Sequence, residues 1–330
     1  MHLDLPELEL RDYRSSQIDP DDFDAFWSDT IAESRAAGGT VELEPVDTGL
    51  RLVDVFDVTF PGFGGERVKA WLRLPHDRPG PLPAVVEFVG YGGGRGRPTE
   101  GLLWAAAGFA HLHMDTRGQG AAWSPGATPD SGTAGPQVPG FLTRGIESPE
   151  TFYYRRVYTD AVRAIDAARA IEAIDPHRIA AFGGSQGGGI TLAAAALSDG
   201  LVAAVPLVPF LCDFPRALTI HDTDPYHEVV RYLRTHRDRV EATLRTLAYF
   251  DGVNFARRAT VPAWFSAALM DATCKPSTVF GAFNAYAGPK EIDVWPFNGH
   301  EGGGPDSTAR AVRRLHEVFA TDARAGASAA

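Results

Sequence analysis

The stretch Arg178-Ile179-Ala180-Ala181-Phe182-Gly183-Gly184-Ser185-Gln186-Gly187-Gly188-Gly189-Ile190 decides the architecture. Residues 178–182 have strand character and residues 187–197 read as an alanine-rich helix. Between them stands Gly183-Gly184-Ser185-Gln186-Gly187, a serine with glycine two residues before it and two after. That spacing, between a strand and a helix, fits a nucleophile elbow. The turn is sharp enough to force the serine into a strained backbone conformation, and the glycines let strand and helix approach. The hydroxyl then projects over the carboxyl edge of a sheet. The same five residues in a chain with 35 glycines also suit a tight structural turn with an idle serine; the strand–turn–helix placement favours the elbow.

Outward from the elbow, strand-like runs recur at 84–89, 109–114, 202–208, 263–269 and 292–295. Ser148-Pro149-Glu150 predicts the start of a long helix with its buried stripe at Val157, Ala161, Ile165, Ala168 and Ile171, and a last helix spans about 306–320. Strand-then-helix alternation predicts an α/β fold, a mostly parallel central sheet with helices on both faces. Residues 52–60 and 67–74 flank Pro61-Gly62-Phe63-Gly64-Gly65 and predict a hairpin. A helix is expected over 19–36, with Asp19 as its cap and Pro20 in its first position. The whole chain, 1–330, is expected to be a single domain, with the N-terminal helix and hairpin at about 19–75 and a charged insertion above the sheet at about 211–257.

Two further residues complete a chemistry for Ser185. Asp271 ends the strand 263–270, where an acid can orient a histidine, and His300 lies in Asn298-Gly299-His300-Glu301-Gly302-Gly303-Gly304 after the last strand. Each taken alone reads equally as a loop residue. Ser, Asp and His in that order, each after a strand, is the order of the α/β-hydrolase triad. The glycine loop Gly90-Tyr91-Gly92-Gly93-Gly94-Arg95-Gly96 follows strand 84–89, where such folds place an oxyanion donor. The backbone N–H groups of Tyr91 and Gln186 are the expected pair. A phosphate-binding loop is disfavoured, because no Lys-[Ser/Thr] follows.

Composition bounds the rest. With 44% hydrophobic and 22% charged residues the chain can bury a large core, and a net charge of −11 disfavours nucleic acid and anionic membranes as partners. The first residues show neither a basic nor an apolar leader segment, and no apolar run is long enough to span a bilayer, so a cytoplasmic protein is expected. Two cysteines, Cys212 and Cys274, read as buried free thiols rather than a disulfide framework. His111 and His113 face one side of a strand; ordinary packing is favoured over a metal site, and neither metal nor cofactor is expected. Asp115 and Arg117 are expected to form a structural ion pair beneath the site.

The chain resembles the acetyl xylan esterase / cephalosporin C deacetylase family of carbohydrate esterases, family 7. The resemblance runs from Phe23-Asp24-Ala25-Phe26-Trp27 almost to the C-terminus. Its motifs here are Asp115-Thr116-Arg117-Gly118-Gln119-Gly120, Gly183-Gly184-Ser185-Gln186-Gly187-Gly188-Gly189, His300-Glu301, Pro209-Phe210-Leu211-Cys212, Tyr249-Phe250-Asp251-Gly252-Val253-Asn254-Phe255 and Tyr286-Ala287-Gly288-Pro289-Lys290-Glu291. It implies a triad of Ser185, Asp271 and His300, and an oxyanion hole at Tyr91 and Gln186. It implies small acetylated substrates, namely acetylated xylooligosaccharides and cephalosporin C, and a homo-hexamer with its sites facing an inner cavity. It also implies an acyl side walled by Tyr91, Phe210 and Pro225, with Thr273 beside the site. After Asp271 the chain reads Ala272-Thr273-Cys274-Lys275-Pro276-Ser277, where the family usually has Asn, an aliphatic residue, Cys, Pro, Pro, so Lys275 is expected to add a charge near the leaving group. The competing readings are a peptidase or thioesterase on the same fold, and a non-catalytic oligomeric binding protein.

Overall fold

The computed structural model describes residue 2 and residues 4–328, with side chains as far as residue 320. In chain order, α1 (Glu7–Asp12) and α2 (Phe23–Ala36) lead into β1 (Glu42–Val46), β2 (Val53–Pro61), β3 (Arg67–Pro75) and β4 (Leu82–Phe88). Then come α3 (Leu103–Ala106), β5 (Ala110–Met114), α4 (Tyr153–Ala170), β6 (Ile174–Gly184), α5 (Gln186–Leu197) and β7 (Ala203–Leu207). Four helices fill the predicted insertion: α6 (Phe214–Ile220), α7 (Tyr226–Thr235), α8 (Val240–Ala248) and α9 (Gly252–Ala256). The chain continues through β8 (Ala263–Ala268), α10 (Pro276–Ala285), β9 (Lys290–Trp295) and α11 (Gly304–Ser328).

The strands form a nine-stranded sheet in the order β1-β2-β3-β5-β4-β6-β7-β8-β9. Pairing is antiparallel from β1 to β5 and parallel from β5 through β4 to β9. This is the α/β-hydrolase arrangement, with the expected hairpin as β2 and β3. Strand periodicity sorts the core onto two faces. Ala84, Val86, Phe88, Leu112 and Ala181 pack with α4 and α5 on one face, while Val85, Phe109, Ala180 and Phe182 pack with Trp104 and with Ala311, Leu315 and Phe319 of α11 on the other. A sheet covered on both faces explains why the central strands read as nearly continuous apolar runs.

Two helix starts differ from expectation. The second helix begins at Phe23, not at Asp19-Pro20, because the Asp19 carboxylate is taken by Arg257 and Arg258 instead of capping. The long helix begins at Tyr153 rather than Ser148: the Ser148 hydroxyl donates to Glu150, and Ser148 to Phe152 form a separate turn. What fixes α4 there is the burial of Tyr153, Tyr154, Val157 and Tyr158. Ile171, expected in its stripe, is the residue just past its end.

Asp115 and Arg117 do not pair with each other. The Asp115 carboxylate accepts the backbone N–H groups of Arg95, Ala127 and Thr128 at 2.9, 2.6 and 2.7 Å, tying the glycine loop to the segment after β5. Arg117 forks onto Asp160 of α4 at 2.6 and 2.8 Å and also meets Glu66. Both lie past the end of β5, where the Asp115 carboxylate is taken up by three backbone N–H groups and Arg117 by carboxylates of other elements. Cys212 and Cys274 are both buried and unpaired.

Candidate active site

Ser185 sits between β6 and α5 with φ 56° and ψ −119°, a strained region for a residue with a Cβ. The flanking glycines are required by contact. A Cβ on Gly183 would run into the backbone of Gly187, and one on Gly187 would strike the carbonyl oxygen of Phe88 in β4. The price of the strained serine is met by the packing around it: β6 lies between β4 and β7, and the serine N–H donates to the Leu207 carbonyl at 2.9 Å.

His300 Nε2 lies 2.9 Å from Ser185 Oγ, and its Nδ1 lies 2.9 Å from Asp271 Oδ2. Asp271 is fully buried; its other oxygen, Oδ1, accepts the N–H groups of Thr273 and Cys274 at 2.8 and 2.9 Å. The carboxylate is thus fixed from one side and presents one oxygen to the ring. Partners 115 residues apart (Ser185 and His300) and 29 apart (His300 and Asp271) join in one line, which can move a proton from serine to imidazole while the acid holds the ring.

Tyr91 lines the same cleft as Ser185, and Gln186 follows the serine directly in the chain. Tyr91 follows β4, and Gln186 opens α5, where helix geometry leaves its N–H without an intrahelical acceptor. Their positions are locked by a buried amide pair that sequence reading assigned no part. Gln119 Nε2 donates to Gln186 Oε1 at 2.8 Å, and Gln186 Nε2 donates back to Gln119 Oε1 at 3.2 Å. Gln119 Oε1 also accepts the Gly92 N–H at 2.7 Å, and Tyr154 donates its hydroxyl to Gln186 Oε1 at 2.8 Å. The loop and the helix start therefore share one anchor.

A second anchor comes from the insertion. The Tyr91 hydroxyl donates to the Glu228 carboxylate of α7 at 2.7 Å and accepts the Phe141 N–H at 2.8 Å; Glu228 also accepts the Leu142 N–H at 3.1 Å. Burial pushes the Glu228 carboxyl up from its ordinary value, and burial with that carboxylate pushes the Tyr91 phenol up. Trp123 Nε1 donates to the Tyr91 carbonyl at 2.8 Å, and its ring lies so close to the loop that a Cβ on Gly93 would collide with it. No local pattern pointed to Glu228, which reaches Tyr91 across 137 residues.

A cleft of about 660 Å³ opens over Ser185 and His300. Tyr91, Pro225 and Thr273 line it, as expected. Phe210 does not: it is fully buried and packs edge-on behind Tyr91, with ring centroids 5.9 Å apart, and against Tyr226. Lys275 does not line the cleft either: its ammonium is bonded to the Ile220 carbonyl. His111 and His113 do not gather a metal set; among the described residues the three-ligand group is Asp271, Cys274 and His300, which is the site itself.

Residues 1–317 match the family model for acetyl xylan esterase (AXE1). The chain belongs to the acetyl xylan esterase family. That family is one of carboxylic ester hydrolases. An acetyl xylan esterase from Paenibacillus sp. R4 superposes with a TM-score of 0.88 at 39% identity, over 95% of this chain and 100% of that one. Acetyl xylan esterase 1 from Thermoanaerobacterium sp. JW/SL YS485 does so at 0.87 and 30% identity, over 96% and 99%. Acetyl esterase Axe7A of Xylanibacter ruminicola is 30% identical over 299 residues; the match takes in 89% of this chain and 66% of that longer protein. No helix among the described residues is long and apolar enough to cross a membrane.

Proposed function

We propose that the protein is a serine esterase that removes acetyl groups from acetylated xylooligosaccharides and related small acetyl esters, cephalosporin C among them, through an acetyl-enzyme on Ser185. The observation that carries this is the unbroken line from Ser185 Oγ through His300 to the buried Asp271 carboxylate. In this reading His300 takes the serine proton as the hydroxyl attacks the acetyl carbonyl, and Asp271 stabilises the imidazolium. The Tyr91 and Gln186 amides receive the oxyanion. The alcohol leaves with the proton from His300, and water releases acetate by the same route. We further infer, from family resemblance, a hexamer with its sites on an inner cavity. Hydrolysis of p-nitrophenyl acetate, with a serine-directed phosphonate labelling Ser185 and abolishing it, tests the assignment; a folded protein that neither turns over nor labels refutes it.

Tyr91, Pro225 and Thr273 line the cleft that holds Ser185, and in this reading they bound its acyl side. Acetyl esters are therefore hydrolysed much faster than octanoyl esters. Each mismatched methylene costs only about 1–3 kcal/mol, so the decline across the p-nitrophenyl series is graded. Rates that climb with chain length would mark a lipase or thioesterase instead.

Glu228 acts here as a positioning residue for the Tyr91 amide. Glu228→Leu removes the acceptor of the Tyr91 hydroxyl and lowers kcat by about tenfold or more, with KM little changed, because a donor shifted off its oxyanion is felt in the transition state. Glu228→Gln, which keeps an acceptor oxygen, recovers part of the loss. Equal kcat in all three proteins would show that the clamp does not position the loop.

A further inference from the structure

His111 and His113 have no part in the chemistry above, yet His113 lines the same cleft as Ser185. Strand register explains how. His113 of β5, Glu87 of β4 and Phe182 of β6 are direct neighbours across the sheet, on the face covered by α11. Ser185 follows Phe182 by three residues, so this row lies about 10 Å down the strands from the nucleophile. All three residues line the cleft, together with Glu100, Ser124, and Gly304 and Thr308 of α11.

We propose that this inner arm of the cleft is a subsite that reads hydroxyl groups on the leaving alcohol, with Glu87 and His113 as its reading pair; the proposal rests on the esterase reading above. Its apolar lining comes from Phe88, Val89, Phe182 and Leu207, and its polar lining from Glu87, His113, Glu100 and Ser124. An acyl chain running into it would strand those polar groups without partners. A polyhydroxylated alcohol would pair with them.

The chemistry of the two residues supports that choice. Burial pushes the His113 ring down to about 3, so it is neutral at pH 7 and offers one donor and one acceptor nitrogen. Its Nδ1 is buried with no hydrogen-bond partner among the described residues. Burial would raise the Glu87 carboxyl, and its interactions with the two histidines and the hydrogen bond from the Trp104 indole N–H oppose that, the net direction being down. Glu87 Oε2 accepts from Trp104 Nε1 at 3.0 Å, which orients the carboxylate, and lies 2.9 Å from His111 Nε2. An ionised acceptor beside a neutral imidazole suits a hydroxyl, which both gives and takes a hydrogen bond.

The test compares monoacetylated xylobiose with hexyl acetate as substrates of the purified protein, alongside p-nitrophenyl acetate. The sugar ester is preferred in kcat/KM, and free xylobiose inhibits competitively at concentrations where 1-hexanol does not. His113→Leu lowers the sugar-to-hexyl ratio about tenfold, chiefly by raising KM for the sugar ester, and His113→Gln restores part of it. Should His113→Leu fail to fold, Glu87→Gln is read for the same fall in ratio. A ratio unmoved in the folded variants, or inhibition by 1-hexanol as strong as by xylobiose, overturns the subsite while leaving the esterase intact. Absence of p-nitrophenyl acetate hydrolysis by the unmodified protein would remove the esterase reading, and the subsite with it.

Discussion

Ser185→Ala lowers kcat by about 10³–10⁶-fold, and the protein stays folded. The loss is large because in the proposed mechanism the serine oxygen bonds to the acyl carbon; without it only the oxyanion donors and substrate binding remain. The fold survives because little else depends on that oxygen. Its N–H still donates to Leu207, its carbonyl still accepts from Gly189 and Phe210, and the glycine contacts around the elbow do not involve the hydroxyl. Alanine carries the same Cβ and so the same backbone strain at φ 56°. Circular dichroism and a melting curve beside the kinetics separate the two effects. A folded variant with near-normal turnover would remove Ser185 from the mechanism.

Asp271→Asn costs kcat about 10²–10⁴-fold. The geometry dictates how. Oδ1 of Asp271 accepts two backbone N–H groups, so the asparagine oxygen is held in that position and the new NH₂ is turned toward His300. Facing a donor, Nδ1 must give up its proton. The neutral ring then carries its proton on Nε2, the nitrogen that has to accept from Ser185. Flipping the amide would set NH₂ against two backbone donors in a fully buried place. Asp251, the next carboxylate considered, does not stand ready: it is itself buried and committed to the N–H groups of Asp213, Phe214 and Val253. Turnover of folded Asp271→Asn within a few-fold of the parent would show that the aspartate does not orient the base.

The sheet, its parallel pairing and the elbow were legible because each is written in local pattern: apolar runs of strand length, glycine at set distances from Ser185, and a serine, an acid and a histidine each following a strand. What local pattern could not carry was the choice among partners. Asp19 and Ser148 have the right chemistry to cap a helix, but Asp19 meets Arg257 and Arg258 from more than 230 residues away, and α4 starts where its aromatic residues can be buried. Phe210 was expected against substrate; whether an aromatic residue faces a cleft or backs its wall depends on which side Tyr91 occupies. Gln119 lay inside a recognised motif, yet its part as the shared anchor of Gly92 and Gln186 is visible only once β4, β5 and β6 are neighbours. Glu228 had no signal, since a glutamate in a charged, helix-period segment looks solvated until the loop bearing Tyr91 packs against it.

The strand order has a consequence for how the protein fails. Ser185 comes from β6, flanked by strands on both sides, whereas His300 follows β9, which closes the sheet and bonds to β8 alone. Edge elements open at lower free energy than central ones, in units smaller than the whole fold. Ser185 and His300 therefore sit in regions of unequal durability. Mild heat or denaturant detaches the imidazole from the hydroxyl while the interior strands remain paired, so loss of turnover runs ahead of loss of secondary structure, and cooling restores it without refolding of the core.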